Sequence, residues 1–203
     1  MTSPKTIRDP LADHLLTPEN AALLIIDYQP VQVASIASMN ERSLVSNVVA
    51  VAKTARLYGL PIVLSTVNVG TGRNKPTILQ ITDVLPSVKP IDRTSINAWE
   101  GMEFVAAVRA TGRKKLIIVA LWTEVCLVFP ALDALHAGFE VYAVIYAVGG
   151  TSPEAHRAGL ERIVQAGAKP VSLIQLACEL QRDWLREKTV PGFAEIVFAE
   201  VGD

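Results

Sequence analysis

Histidine and cysteine are scarce in this chain, which has three and two of them in 203 residues. His14, His136 and His156 stand in no HxxxH or DxH arrangement, so we expect no protein-bound zinc or iron site. Cys126 and Cys178 are far apart in sequence and do not make a disulfide framework or a metal cluster. The sequence therefore predicts a protein without a metal or an organic cofactor.

Long hydrophobic runs and blocks of charge are also missing. No apolar run approaches the roughly 18 residues that cross a bilayer, so we expect no membrane insertion. The net charge is −1, and the one basic cluster, Arg113-Lys114-Lys115, is typical of a solvated turn before a strand, which argues against nucleic-acid binding. The first ten residues contain no apolar signal region, so we predict a reduced, cytoplasmic protein.

Apolar residues, by contrast, are abundant and make up 50% of the chain. Without a membrane span, a buried sheet together with subunit interfaces explains this excess, which favours a homo-oligomer. The length suits a single domain, residues 1–203, with a sizeable core. The apolar tail, Pro191–Val201, is expected to pack either on its own subunit or on a neighbouring one.

One sequence pattern recurs along the chain: a helical segment ends at a glycine, and a short β-branched run follows. It appears at Gly59, Gly112, Gly138 and Gly167, each suited to the left-handed position that ends a helix. Apolar strands that alternate with helices predict a mainly parallel six-stranded sheet in a three-layer α/β/α sandwich. We place the strands at 21–27, 61–66, 88–92, 115–121, 140–146 and 169–172. Helices are predicted at 41–58, 100–111, 124–137, 153–166 and 174–186, with a short one at 78–84.

The stretch 115–139, KLIIVALWTEVCLVFPALDALHAGF, is the most informative segment. A buried strand meets Thr123, a good helix N-cap, and Cys126 lies in the first turn of the helix that follows. Free amide N–H groups and the positive end of the helix dipole favour a thiolate there. Cys126 is therefore a candidate nucleophile, whereas Cys178 has the pattern of a core position.

In parallel sheets, ligands bind beyond the carboxyl ends of the strands. Asp27 ends the first strand and Arg93 follows the third, so both are expected to meet Cys126 at one edge. Asp27 is the candidate proton acceptor, and Arg93 is a candidate partner for a thiolate or oxyanion. Backbone N–H groups over Thr123–Cys126, in particular those of Val125 and Cys126, are candidates for an oxyanion hole. This set of groups indicates a cysteine hydrolase of small molecules.

Three segments in order, IIDYQ at Asp27, RTSINAW at Arg93 and LWTEVCLVFPALDALHAGFEVY, resemble the isochorismatase-like cysteine hydrolases, in particular their YcaC-like branch. The resemblance covers about 21–184. It implies an Asp–Lys–Cys triad with Cys126 as nucleophile, and a non-proline cis peptide at Trp122–Thr123. It also suggests an octamer.

The sequence departs from that pattern at two positions. Arg93 stands where the family has lysine; by register we prefer Arg93, with Lys89 as the nearest lysine. Tyr146 stands where relatives usually carry aspartate, which puts the inherited substrate specificity in question. The metal-binding residues of nicotinamide-converting relatives are absent from STVNVGTGRNKP.

The predicted substrate pocket takes its side chains from three of these motifs. Its candidate residues are Gln29, Asn97, Trp99 and Trp122.

Two functions remain open. The first is hydrolysis of an amide, a carbamoyl compound or an isochorismate-like ether through a covalent thiol intermediate. The second is an oligomeric binding protein that keeps the fold with little or no catalysis. A dinucleotide-binding enzyme is excluded, because DYQPVQVAS after the first strand contains no glycine.

Overall fold

A computed structural model describes residues 8–201, excluding the side chains of the last two. Six strands alternate with helices along the chain. The strands are β1 (Ala21–Ile26), β2 (Ile62–Val67), β3 (Ile91–Arg93), β4 (Lys115–Ala120), β5 (Glu140–Val144) and β6 (Lys169–Val171). The α-helices are α1 (Pro30–Ala34), α2 (Glu41–Leu57), α3 (Leu79–Val84), α4 (Met102–Ala110), α5 (Val128–His136), α6 (Pro153–Gln165), α7 (Leu173–Gln181) and α8 (Val190–Val201).

The strands form one sheet in the order β3-β2-β1-β4-β5-β6, and every pairing is parallel. β1 and β4 lie side by side at the centre, with Ala21 opposite Lys115 and Ile26 opposite Ala120. All residues of both strands are buried, because helices cover both faces of the sheet. The predicted three-layer α/β architecture is confirmed, and the sheet is wholly parallel.

The helices form two groups around this sheet. α2, α7 and α8 contact one another, and α5 contacts α6. Within residues 8–201, every helix is too short or too polar to cross a bilayer.

Two helices were not predicted from the sequence. α1 has only five residues and begins at Pro30, a position that proline favours, but it is too short to show a helical period. α8 is apolar nearly all round, so its sequence has no polar face to mark it as a helix. The third strand is also shorter than expected, since pairing with β2 is limited to Ile91–Arg93.

α8 packs on its own chain, as the first of the two predictions for the tail has it. Phe193 and Ile196 are buried, and the Phe193 ring meets Trp184 edge to face at a centroid distance of 5.2 Å. Gly192 lies directly against Leu57 of α2, where an added Cβ would come within 2.8 Å of the leucine side chain. Phe198, on the same helix, remains 60% exposed.

Lys115 is buried, which contradicts the solvated turn predicted for the basic cluster. Its ammonium donates to the backbone oxygens of Asp13 and His14, both at 2.7 Å, and of Leu15 at 3.1 Å. Burial lowers the pKa of Lys115, partly offset by the charge of Glu140. The side chain therefore fastens residues 13–15 to the start of the central strand β4.

We expect Lys115→Met to lower the free energy of unfolding by about 1–3 kcal/mol, because the carbonyls that the ammonium satisfies would lose their partner. Urea unfolding followed by circular dichroism measures this. The adjacent Lys114 is exposed, and Lys114→Met is the matched control, expected to change stability by less than about 0.5 kcal/mol. Equal effects of the two substitutions would contradict the anchoring role.

Candidate active site

The candidate site lies at the carboxyl edge of the sheet, between its two central strands. Asp27 follows β1 and Cys126 follows β4, so the two residues flank the point where the strand order reverses. Asp27 is completely buried and has a positive φ of 63°. Aspartate and asparagine tolerate this left-handed conformation better than most residues. Its amide donates to Ser65 O at 3.0 Å, which holds this turn against β2.

A bidentate ion pair joins Arg93 to Asp27. The two guanidinium N–H groups lie 2.7 Å and 2.6 Å from the two carboxylate oxygens. The exposed side-chain fractions are 4% for Arg93 and 0% for Asp27. Parallel, charge-assisted bonds of this kind fix both position and orientation.

Further contacts of Arg93 hold the guanidinium in place. It donates to Ser65 Oγ, Thr66 O and Ile96 O at 3.0–3.2 Å. Its Nε has no hydrogen-bond partner within residues 8–201. Lys89 is exposed, ahead of β3. The structure therefore brings Arg93, and not Lys89, to the position next to Asp27.

Cys126 is buried, with 7% of its surface exposed, and interacts with Asp27. Burial raises the pKa of the Cys126 thiol strongly, and the charge and hydrogen bond of Asp27 raise it further. Arg93 and the backbone N–H of Trp122 lower this pKa but do not outweigh those effects. The prediction of a Cys126 thiolate is therefore wrong for the resting protein. Desolvation and the neighbouring carboxylate raise the pKa of the thiol by more than the position near a helix start lowers it.

The backbone before Cys126 also differs from the prediction. A π-helical turn, Thr123–Leu127, precedes α5, and Trp122 is its N-cap in place of Thr123. The non-proline cis peptide joins Leu121 to Trp122, one bond earlier than expected. Thr123 itself belongs to the turn, and its amide donates to Gly149 O at 2.9 Å.

Two of the predicted oxyanion donors are already occupied. The amide of Thr123 donates to Gly149 O, and the amide of Val125 donates to Trp122 O at 3.1 Å. The backbone N–H of Trp122, in contrast, lowers the pKa of the Cys126 thiol. The prediction for Thr123 and Val125 as donors is therefore wrong, and Trp122 is the backbone group that the structure brings to the thiol.

Gln29 and Asn97 were predicted to line a substrate pocket, but their amides bind other parts of the chain. Gln29 is completely buried; it accepts from Val67 N at 2.9 Å and donates to Val67 O and Lys75 O. Asn97 donates to Asp133 at 2.7 Å and caps the short helical turn at Trp99. Both side chains fix the loops around the site, a use that residue type and position did not reveal.

The two tryptophans differ in their surroundings. Trp99 packs edge to face against Phe104 and Phe139, as a structural aromatic does. Trp122 is partly exposed, and its indole N–H donates to Ser35 Oγ at 2.7 Å. Of the two, Trp122 is the one whose backbone adjoins the thiol.

Sequence reasoning missed the contacts behind the Cys126 turn. His156 bonds Thr123 at 2.8 Å, and Glu124 binds Thr151. Cys178 was expected in the core and is exposed on α7. A histidine on a polar helix gives no sign of which partner its ring meets, so no signal in the sequence pointed to these contacts.

An all-parallel sheet with polar side chains gathered at its carboxyl edge defines an α/β enzyme of the kind that binds its ligands at the strand-order switch. Residues 21–175 match the isochorismatase domain. The chain is 35% identical over 189 residues to the protein described as probable hydrolase YcaC of Escherichia coli, covering 93% of this chain and 89% of that one. The chain belongs to the isochorismatase family of hydrolases, on its YcaC-like branch.

Two solved structures are closely similar. Escherichia coli YcaC, described as an octameric hydrolase of unknown specificity, superimposes with a TM-score of 0.81 at 32% identity, over 94% of this chain and 98% of that one. Pseudomonas aeruginosa YcaC with hexane-2,5-diol and covalent acrylamide gives 0.81 at 33% identity, over 92% and 96%. A nicotinamidase from Bacillus subtilis, at 18% identity and a TM-score of 0.63, shares the fold.

We expect Arg93→Met to lower the free energy of unfolding by about 3–5 kcal/mol, because Asp27 would remain buried without its partner. The double variant Asp27→Asn/Arg93→Met removes both charges and is expected to recover much of that loss. Chemical denaturation of the three proteins at one pH gives the coupling between the two residues. Strictly additive losses would show that the pair does not act as a unit.

Proposed function

We propose that the protein is a cysteine-dependent hydrolase of a small molecule, with Cys126 as nucleophile and Asp27 as proton acceptor. The observation that carries this proposal is the contact of the buried Cys126 thiol with the Asp27 carboxylate, whose two oxygens both accept hydrogen bonds from Arg93. A nucleophile beside an oriented base is the arrangement that covalent catalysis requires.

The reaction begins from the protonated thiol. As the Cys126 sulfur attacks the substrate carbonyl carbon, its proton passes to Asp27, and the carbonyl oxygen gains the negative charge. We assign the backbone N–H of Trp122, which lowers the pKa of the thiol, as the donor to that oxygen. When the intermediate collapses, the carbon–nitrogen bond breaks and Asp27 returns the proton to the leaving nitrogen.

Water completes the cycle. Asp27, again a carboxylate, takes a proton from a water molecule that attacks the thioester carbon, and the carbon–sulfur bond then breaks. The acid product leaves, and the proton returns to Cys126. Arg93 keeps Asp27 in one orientation through both steps by its two parallel bonds. A raised thiol pKa suits this scheme, because the proton leaves only when the substrate is attacked.

The substrates that fit are small and carry one electrophilic carbon. Amides, N-carbamoyl compounds and isochorismate-like ethers share that property, and a thiol that is 93% buried is accessible to compact molecules more readily than to polymers. The Pseudomonas aeruginosa relative holds covalent acrylamide, an electrophile of this small size.

By likeness to the octameric Escherichia coli relative, we also propose a homo-oligomer of this chain. The free cysteines suit a reducing, cytoplasmic compartment.

A panel of small amides and carbamoyl compounds, followed by mass spectrometry, tests the proposed activity. We expect Cys126→Ala to lower the rate on any substrate found by about 10³-fold or more, because the covalent route is lost. Cys178→Ala removes the exposed thiol and is the matched control, with unchanged turnover. Turnover that survives Cys126→Ala would refute the nucleophile. A folded oligomer with no turnover and an inert Cys126 would favour the binding-protein alternative.

Alkylation by iodoacetamide tests the pairing of Asp27 with the thiol without any substrate. Asp27 raises the pKa of Cys126 and Arg93 lowers it, so Asp27→Asn is expected to lower that pKa. The thiolate fraction at pH 7 then rises, and alkylation of Cys126 becomes faster although hydrolysis is lost. Asp83→Asn, on an exposed position of α3, is the control. Slower alkylation in Asp27→Asn would contradict the electrostatic coupling.

A further inference from the structure

Helix α6 lies against the π-helical turn that carries Cys126. A histidine in the first turns of α6, His156, contacts that turn. Thr123, the first residue of the π-helical turn, is completely buried, and its hydroxyl lies 2.8 Å from His156 Nδ1. The Thr123 amide is bonded to Gly149 O. Both polar groups that Thr123 offers to its surroundings, the hydroxyl and the amide N–H, are thus held by residues on the far side of the turn.

Two glycines allow this close approach. A Cβ on Gly159 of α6 would lie 3.1 Å from Glu124 Cα and 3.2 Å from Thr123 Cγ2. A Cβ on Gly150 would lie 2.6 Å from Glu124 Oε2 and 2.9 Å from His156 Cβ. The backbone of α6 and the backbone of the turn are therefore in direct contact.

Glu124 adds a charge beside the imidazole. Its Oε1 accepts from the Thr151 amide at 3.0 Å and from the Thr151 hydroxyl at 2.6 Å. Its Oε2 is buried and finds no hydrogen-bond partner among residues 8–201. The next residue but one along the turn is Cys126, so a shift of Thr123 or Glu124 would move the thiol relative to Asp27.

We propose that His156 is a positioning residue for Cys126. Through the hydrogen bond from its Nδ1 to Thr123, it fixes the start of the π-helical turn, and with it the Trp122 amide and the thiol. The inference rests on the proposed function in one respect, namely that the reactivity of Cys126 matters for turnover. In the neutral ring we assign the proton to Nε2, so that Nδ1 accepts from the Thr123 hydroxyl; an Nδ1–H would donate to the same oxygen.

Protonation of His156 reverses that bond. Burial lowers the pKa of His156 below its ordinary 6.5, while the Glu124 charge acts in the opposite direction. The ring is therefore neutral at pH 7, and it gains a proton on Nδ1 only as the pH falls through this lowered pKa. The other charged groups of α6 and α5 near this region are Glu154 and Arg157, both exposed, Asp133, which is bonded to Asn97, and His136, which is exposed at the end of α5.

The pH dependence of Cys126 alkylation tests the proposal. For a thiol of raised pKa, the rate is expected to change about tenfold per pH unit, following the thiolate fraction. In His156→Ala we expect faster alkylation at every pH, by a factor of about 5 to 10, the contribution of one hydrogen bond, because the released thiol moves away from Asp27, whose carboxylate raises the pKa of the thiol. Thr123→Val, which keeps the packing methyl, should show the same increase. The wild type should follow the thiolate fraction without a break, because protonated His156 still bonds Thr123.

A conservative variant separates positioning from bulk stability. The amide of His156→Asn can occupy the place of Nδ1 without titrating, so we expect it to bring the rate back to near that of the wild type. His136→Ala, on the exposed histidine, should leave the profile as in the wild type. The double variant His156→Ala/Thr123→Val should change the rate no more than either single variant.

Alkylation that is identical in His156→Ala and the wild type at every pH would overturn the proposal. So would a lower melting temperature in His156→Ala with an unchanged alkylation rate, because that result describes a purely structural side chain. If no substrate is turned over but the alkylation profile depends on His156 as described, the hydrolase proposal fails while the positioning role stands.

Discussion

The buried ion pair between Asp27 and Arg93 is the interaction on which the rest of the site depends. It ties the end of the central strand β1 to the edge strand β3, and it places a carboxylate against the thiol that follows β4. A bidentate guanidinium constrains the direction of both carboxylate oxygens, which a lysine ammonium would not do. Arg93 therefore holds Asp27 in a way that a lysine of the same charge would not.

Much of the fold could be predicted from the sequence, because parallel strands buried on both faces are continuous apolar runs that end near glycines. The meeting of Asp27, Arg93 and Cys126 also followed, since the carboxyl ends of such strands share one edge. The protonation state of Cys126 did not, because it depends on the balance between burial, Asp27 and Arg93 at distances that no motif gives.

The hydrogen bonds around the Cys126 thiol could not be predicted from the sequence either. Gln29 and Asn97 are polar residues next to the site, and nothing in their sequence positions shows that their amides bind backbone and Asp133. The same holds for His156, whose helix has an ordinary polar pattern. Long-range hydrogen bonds between loops are fixed only when the helices pack on the sheet, so they cannot be predicted from local sequence. α8 was missed for the simpler reason that it lacks a polar face.

The burial that raises the pKa of Cys126 has a consequence for the life of the chain before it folds. On the ribosome, the cysteine is open to water, and neither Asp27 nor the hydrophobic layers surround it. Oxidants and stray electrophiles attack sulfur in its ionised form, which is more abundant in that early state. Folding of the sheet around the sulfur thus lowers its thiolate fraction, and with it the rate at which such reagents attack.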